Sequence, residues 1–301
     1  MSSAGPLQRA PAITLVGTGA VSVQFGAALA TKLFGRVGPT GAVTLRLVIA
    51  AVILMVVVRF IRTSPSGQAT VRRRSSWPDR VVVGAFGIVL AAMNLSFYEA
   101  IARVPMGAAV TIEFSGPLAV ALLGSRRVAD SLWALLAGSG VAFLASAAGR
   151  HLDPVGLGLA ALAGTFWALY ILLSKETGRR FGSLNGLAGA MAVAGVIVLP
   201  IGVVNAGAAL LRPSVLILGT VVAVLASVIP YSLELAALRR VTRRAFGVMM
   251  SLDPALATAA GFVVLGQHLS VQEWVALGLV VAANVGNTLS GRQSSAPALL
   301  A

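Results

Sequence analysis

The chain contains no cysteine, only two histidines, and just nine acidic residues among 301. Without cysteine there is no disulfide and no thiolate metal site, which excludes a disulfide-stapled secreted scaffold. Two histidines and no cysteine also argue against zinc, and no cofactor of any kind is expected. Charged residues make up 11% of the chain, against about 25% in an ordinary soluble domain, while 57% are hydrophobic and the mean hydropathy is +0.92. A soluble enzyme of this length needs a far larger polar surface, and a disordered chain carries far fewer apolar residues. Catalytic signatures are missing too: there is no nucleophile triad, no metal-ligand set and no phosphate-cradling loop. Gly17-Thr18-Gly19 and Gly156-Leu157-Gly158 lie in or beside apolar runs, without the strand–turn–helix setting a nucleotide loop requires. The chain therefore reads as a polytopic membrane protein that is not an enzyme, and an ATP-driven pump is excluded for this chain alone.

What the sequence has in abundance is long apolar runs. Crossing roughly 30 Å of hydrocarbon takes about 20 mostly apolar residues. Ten runs qualify: 12–34, 40–60, 81–102, 105–123, 131–149, 154–175, 184–204, 214–237, 245–265 and 271–290. They lack the alternation of a transmembrane barrel, and unpaired backbone in lipid leaves helices as the remaining solution. Most gaps are a few residues long; the longest, 61–80, is a polar loop rich in Arg and Pro. A cleaved leader is not expected, because the first run is longer than a signal-peptide core and carries Gln24 and Lys32.

The net charge of +14 would suggest nucleic acid in a soluble protein. Here the basic residues sit in short gaps between apolar runs, where they set topology. With the N-terminus cytoplasmic and ten spans, Lys32, Arg36, Arg103, Arg150 and Arg212 fall outside and Arg46 within a span, which leaves 17 of the 23 basic residues inside. That bias supports the span count and places the tails 1–11 and 291–301 in the cytoplasm.

The two halves of the chain resemble each other weakly. Ser115-Gly116-Pro117-Leu118-Ala119 and Leu252-Asp253-Pro254-Ala255-Leu256 share a proline at an offset of 137 residues, as do Arg103-Val104 and Arg240-Val241. Trp133 and Trp274 each open the last span of a half and read as interface anchors. The expected architecture is all-α, with ten transmembrane helices as two inverted five-helix repeats, 12–149 and 154–290. Five is odd, so the second unit enters from the opposite face, the arrangement of many secondary transporters with a midplane site between the halves.

Polar groups inside spans are costly and usually face a partner or a wet cavity. Glu113 lies in span four, four residues before Pro117, which cannot donate to the Glu113 carbonyl, so the helix opens or bends there. Glu113 is either a protonatable, amine-binding carboxylate or half of a structural ion pair with Arg46. Arg46, within span two, either grips a substrate carboxylate or pairs permanently with Glu113. Asp253, before Pro254 in span nine, is a second site carboxylate or a helix-packing feature. Glu99 and Glu234, near the ends of spans three and eight, either gate the pathway or are simply solvated. Gln24 and Asn94 suit interhelical hydrogen bonds, with Gln24 also a substrate-binding candidate. Trp167 and Tyr170 share one face of span six and either line a cavity or pack between helices. Pro230-Tyr231 marks a kink or hinge. With no ATP site, the energy source is a gradient, and intramembrane carboxylates point to protons.

At these residues the sequence resembles the drug/metabolite transporter superfamily in its EamA-type branch. Gly38 to Leu47 (GPTGAVTLRL), Glu113 to Leu122 (EFSGPLAVAL), Thr165 to Leu172 (TFWALYIL), Pro230 to Leu238 (PYSLELAAL) and Ala245 to Ala257 (AFGVMMSLDPALA) look like the bacterial threonine/homoserine exporter family, and the likeness covers about residues 12 to 290. The resemblance implies an inner-membrane exporter of small neutral amino acids, coupled to proton entry. Its partners would be an amino-acid substrate, protons and the lipid bilayer, with no nucleic acid, and it would act as a monomer or homodimer. Gln24, Arg46, Glu113, Pro117, Trp167, Tyr170, Pro230, Tyr231, Glu234, Asp253 and Pro254 fall on family-like positions. One departure is visible: members often carry Gly-Glu at the end of span nine, where this chain has Gly266-Gln267. Export of another metabolite or a cationic drug is the alternative within transport, and a non-transporting receptor or scaffold the alternative outside it.

Overall fold

Backbone groups that cannot reach water must bond within their own segment, and the chain does so as helices. The computed structural model describes residues 12–63, 77–123, 153–181, 183–231, 233, 253–268 and 270–290, together with a few residues between 132 and 143. In chain order the helices are α1 (Ala12–Thr63), α2 (Trp77–Ile101), α3 (Met106–Glu113), α4 (Ser115–Leu123), α5 (Pro154–Phe181), α6 (Ser183–Ala206), α7 (Pro213–Ala223), α8 (Asp253–Leu265) and α9 (Val271–Ser290). A 3₁₀ turn, Gly207–Leu211, joins α6 to α7, and a π-helical turn, Val224–Val228, extends α7 towards Tyr231. Five stretches are long and apolar enough to cross a membrane: Gly17–Phe60, Trp77–Ile101, Pro154–Phe181, Leu184–Leu211 and Pro213–Tyr231.

The first of these, 44 residues long, would reach about 66 Å as one straight helix, twice the hydrocarbon thickness. It is not straight. Gly38 has φ 69° and ψ 172°, a backbone that glycine adopts without strain. The extended ψ is what the following Pro39 demands of its predecessor. The break falls in the expected gap between spans one and two, and leaves two arms, 12–37 and 39–63, each of membrane length.

The arms of α1 form the centre of the molecule, packing against α2, α6, α7, the π-turn and α8. Ala27, Ala28, Ala30, Leu33, Ala42 and Val43 are among its fully or nearly buried residues. Small side chains let the backbones approach, as membrane helix interfaces require. Outward faces carry large apolar groups instead: Phe60 is 77% exposed and Val204 84%. That exposure fits a surface solvated by lipid.

Helices α2 and α5 lie side by side in opposite directions, with ion pairs at both ends. At one end Arg180, near the end of α5, reaches buried Asp79 at the start of α2 (3.1 Å) and Glu176 (2.7 Å). At the other, Arg103 after α2 pairs with Glu99 and approaches Asp153 before α5 (3.7 Å). Partly exposed pairs like these add little stability but fix register.

Expected span four runs as α3 and α4, divided only at Phe114, which keeps right-handed helical angles (φ −66°, ψ −13°) and still bonds one helical turn away to Val110 and Leu118. Phe114 is a turn between α3 and α4, and Pro117 sits in the first turn of α4, where a missing N–H does no harm. The Glu113 carbonyl, left without the donor that residue 117 would supply, faces Gly164 of α5. A Cβ on Gly164 would stand 2.6 Å from that oxygen, and one on Gly116 would overlap the Gly164 carbonyl. α5 and α6 extend close to or beyond their expected bounds, whereas only Asp253–Leu265 of span nine is described and most of span five lies outside the described residues.

A methyl group added at this crossing has nowhere to go. Gly116→Ala should therefore lower the unfolding free energy in detergent by about 1–3 kcal/mol, whereas Gly158→Ala, with nothing within 4 Å of the new Cβ, should be neutral or stabilising. Equal stability of the two variants would contradict the close α4–α5 contact.

Candidate functional site

The site grows from one guanidinium. Arg46 lies in the second arm of α1 and is 5% exposed. A buried charge is tolerated only with partners, and Arg46 has three direct ones. Its Nε donates to Ser227 Oγ (3.1 Å), Nη1 to the Tyr98 hydroxyl (3.2 Å) and Nη2 to the Ala226 carbonyl (2.8 Å). The Tyr98 ring also lies 5.5 Å from the guanidinium carbon, within cation–π range.

The availability of that carbonyl follows from local sequence. In an α-helix the Ala226 oxygen would accept from residue 230, but residue 230 is proline and has no N–H. The backbone adapts by a π-turn, in which Ile229 N–H donates five residues back to Val224. Leu225 thereby loses Ile229, and its π-register donor would again be Pro230. Neither Leu225 nor Ala226 can accept from residue 230, and both oxygens turn to side chains. Ser22 Oγ of the first α1 arm donates to Leu225 (2.7 Å), and Arg46 takes Ala226. Gly26, one turn after Ser22, presses directly on this turn: a Cβ there would stand 2.8 Å from the Ala226 nitrogen. One proline thus builds the acceptor that anchors the buried arginine, between the two arms of α1.

Glu113, 8% exposed, ends α3, and Asp253, 4% exposed, opens α8 with Pro254 directly behind it. Glu113 interacts electrostatically with both Arg46 and Asp253. No ion pair within 4 Å joins Arg46 to Glu113, so a permanent salt bridge between them is not what the structure has; the guanidinium is held by neutral acceptors instead. Tyr231, just after Pro230, also lies within electrostatic reach of Arg46.

Other sequence candidates are placed differently. Trp167 meets Phe114 edge-on at 5.3 Å and Tyr170 meets Phe86 at 5.2 Å, so both half-buried rings take part in aromatic packing. Gln24 is buried but makes no hydrogen bond to a described residue. Asn94 bonds the Leu90 carbonyl of its own helix rather than a neighbour (2.8 Å), because the acceptor one turn back is the nearest one. Besides Arg46, side chains that bond between helices include Ser22 and Thr44, which reaches Val198 of α6 (3.0 Å). Glu99 pairs with Arg103 and lines a cleft of about 380 Å³ at the Gly38 break, together with Arg36 and Asn205. Pro117 and Pro230 sit beside the two helix irregularities. Glu234 lies outside the described residues. At the end of α8, Gln267 Oε1 accepts the Met106 N–H at the start of α3 (3.1 Å), an orphan donor of that helix.

Tyr98 and Ser227 were not singled out by sequence. Tyr98 lies within an apolar run and reads as packing, although the neighbouring Glu99 marks the turn as polar. For Ser227 the signal was Pro230, three residues on.

Residues 154–289 match the EamA-like transporter family. The chain is 40% identical over 296 residues to the threonine/homoserine exporter RhtA of Escherichia coli (strain K12), covering 97% of each chain. It is 41% identical over 274 residues to the threonine/homoserine exporter RhtA of Salmonella typhimurium (strain LT2), covering 90% of this chain and 89% of that one. A solved crystal structure that is 23% identical shares the fold, with a TM-score of 0.59 over 94% of this chain and 98% of that one.

The π-turn makes a quantitative prediction. Ser22→Ala leaves the Leu225 carbonyl without a donor and should cost about 1–3 kcal/mol of stability. In a Pro230→Ala background the restored N–H can serve Leu225, so the same substitution should cost clearly less. Additive losses in this double-mutant cycle would contradict the assignment of Pro230 as the reason that Leu225 turns to Ser22.

Proposed function

The chain belongs to the EamA-like transporter family, in company with exporters to which it is 40% identical over nearly its whole length, and from that premise we propose that it exports small neutral amino acids of the threonine and homoserine type by exchange for protons. It works as ten spans in two inverted five-helix units, 12–149 and 154–290, in a bacterial inner membrane with both tails cytoplasmic. The excess of basic residues in the alternate gaps and the family match over 154–289 support that layout.

The observation that carries the reading is the arrangement of buried charge. A zwitterion offers a carboxylate and an ammonium, and the described interior offers one buried guanidinium, with the buried carboxylate of Glu113 within its electrostatic reach and that of Asp253 within reach of Glu113. In a low-dielectric interior both interactions are much stronger than in water. The substrate carboxylate meets Arg46 and its ammonium meets Glu113 or Asp253. Because Arg46 is anchored by Ser227, Tyr98 and Ala226 rather than by Glu113, the carboxylate of Glu113 is open to a ligand cation. Protonating Glu113 from outside removes its attraction for the ammonium and releases the substrate. Re-exposure to the cytoplasm returns the proton to the inside and re-forms the site, so one proton enters as one amino acid leaves. Breaks at Gly38, Phe114 and the π-turn give the helices places to bend during this cycle.

Cells expressing the wild-type chain should release labelled threonine and homoserine faster than controls, and a protonophore should abolish the gain. Glu113→Gln should fold and reach the membrane yet lose the protonophore-sensitive component. Intact proton-coupled efflux in that variant would sink the assignment of Glu113.

A further inference from the structure

Arg46 carries five N–H donors, and three are committed to Ser227, Tyr98 and Ala226. Two remain, one on each terminal nitrogen. The hydroxyls that hold the arginine are themselves acceptors in those bonds, so each keeps its own proton. Tyr98 and Ser227 are both fully buried, and neither hydroxyl has an acceptor among the described residues. Four buried donors, two N–H and two O–H, therefore surround one positive charge with no described group to receive them. A buried donor without an acceptor is costly, and the cost falls when an oxygen-rich anion supplies the missing lone pairs. A carboxylate does so with about four lone-pair sites on two oxygens. The neighbouring Glu113 is not positioned to do so, since it forms no direct bond with Arg46.

We propose that Tyr98 and Ser227 are carboxylate-binding residues: their hydroxyls, with the two uncommitted N–H groups of Arg46, form one receptor for the carboxylate of a small zwitterionic solute. The proposal rests on the reading of Arg46 as the carboxylate site and names the groups that complete it. It also explains why two of the three groups that hold the arginine are hydroxyls. A backbone carbonyl or an acidic side chain could anchor a guanidinium equally well but would present no donor to a ligand and would repel an anion. The receptor selects for a free carboxylate, so amides and esters of the same amino acid are poor ligands.

The test compares L-threonine with L-threoninamide, which keeps the ammonium and side chain but has no carboxylate. In proteoliposomes, the wild-type protein should bind or exchange threonine far better than the amide, measured by competition against labelled threonine. Tyr98→Phe and Ser227→Ala should each weaken threonine by about tenfold or more, the value of a hydrogen bond to a charged group, while leaving the amide unchanged. Equal loss for both ligands would show that the hydroxyls only hold the fold or Arg46, and would overturn the proposal. A second readout needs no amino acid. Sodium propionate should raise the melting temperature of the purified protein above that in equal sodium chloride, and the rise should vanish in Tyr98→Phe. No rise in the wild type, or the same rise with chloride, would overturn the carboxylate receptor even if threonine export is intact. A propionate effect lost in Tyr98→Phe, in a wild-type protein that exchanges no amino acid, would instead uphold the receptor and refute the export reading.

Discussion

The interior of this protein is organised around the burial of one guanidinium. An arginine taken out of water needs acceptors on several sides, and in a chain with nine acidic residues carboxylates are scarce. The solution is a backbone carbonyl that residue 230, a proline, cannot serve. Pro230 provides it by lacking a donor, the π-turn at Val224–Val228 exposes it, and Arg46 fills it. Ser227 comes from the same turn and Tyr98 from α2, so a single charge ties together α1, α2 and the end of α7.

That arrangement explains why the irregular backbone is internal. Helices in lipid tolerate breaks only where protein or a polar cavity satisfies the freed groups. The π-turn is satisfied by Ser22 and Arg46. The Phe114 break, which leaves the carbonyl of Glu113 free of its α partner, is closed against Gly164. The third break, at Gly38, borders a cleft lined by Arg36, Glu99 and Asn205. A chain that exposes valines and phenylalanines outwards thus turns the polar groups of the π-turn, Arg46, Glu113 and Asp253 inwards.

Much of this was legible in the sequence because its causes are local. The gap between the runs 12–34 and 40–60 holds Gly38-Pro39, a pair that disfavours helix locally, and the long apolar runs require helices. Glu113 and Arg46 stand out because ionisable groups in apolar runs are expensive. The partners of Arg46 were not legible, since they depend on which helices meet. Tyr98 looks like any aromatic in an apolar stretch until α2 is placed beside α1. A π-turn has no composition of its own, so Pro230 read as a kink while its consequence, two carbonyls that residue 230 cannot serve, required the register. Asn94 shows the same gap from the other side: its residue type suggested a bond between helices, but an acceptor one turn back was closer. Trp167 and Tyr170 stand three residues apart in α5, and only the partners Phe114 and Phe86 show that packing occupies their rings.

The central claim is that the Arg46 cluster receives the carboxylate of a transported zwitterion while Glu113 or Asp253 receives its ammonium. A high-resolution structure of the protein in nanodiscs with saturating threonine tests it most directly. The account predicts ligand density with its carboxylate between Arg46, Tyr98 and Ser227 and its ammonium towards Glu113 or Asp253. Threonine bound elsewhere, for instance in the cleft at the Gly38 break with Arg46 still held as it is now, would contradict it.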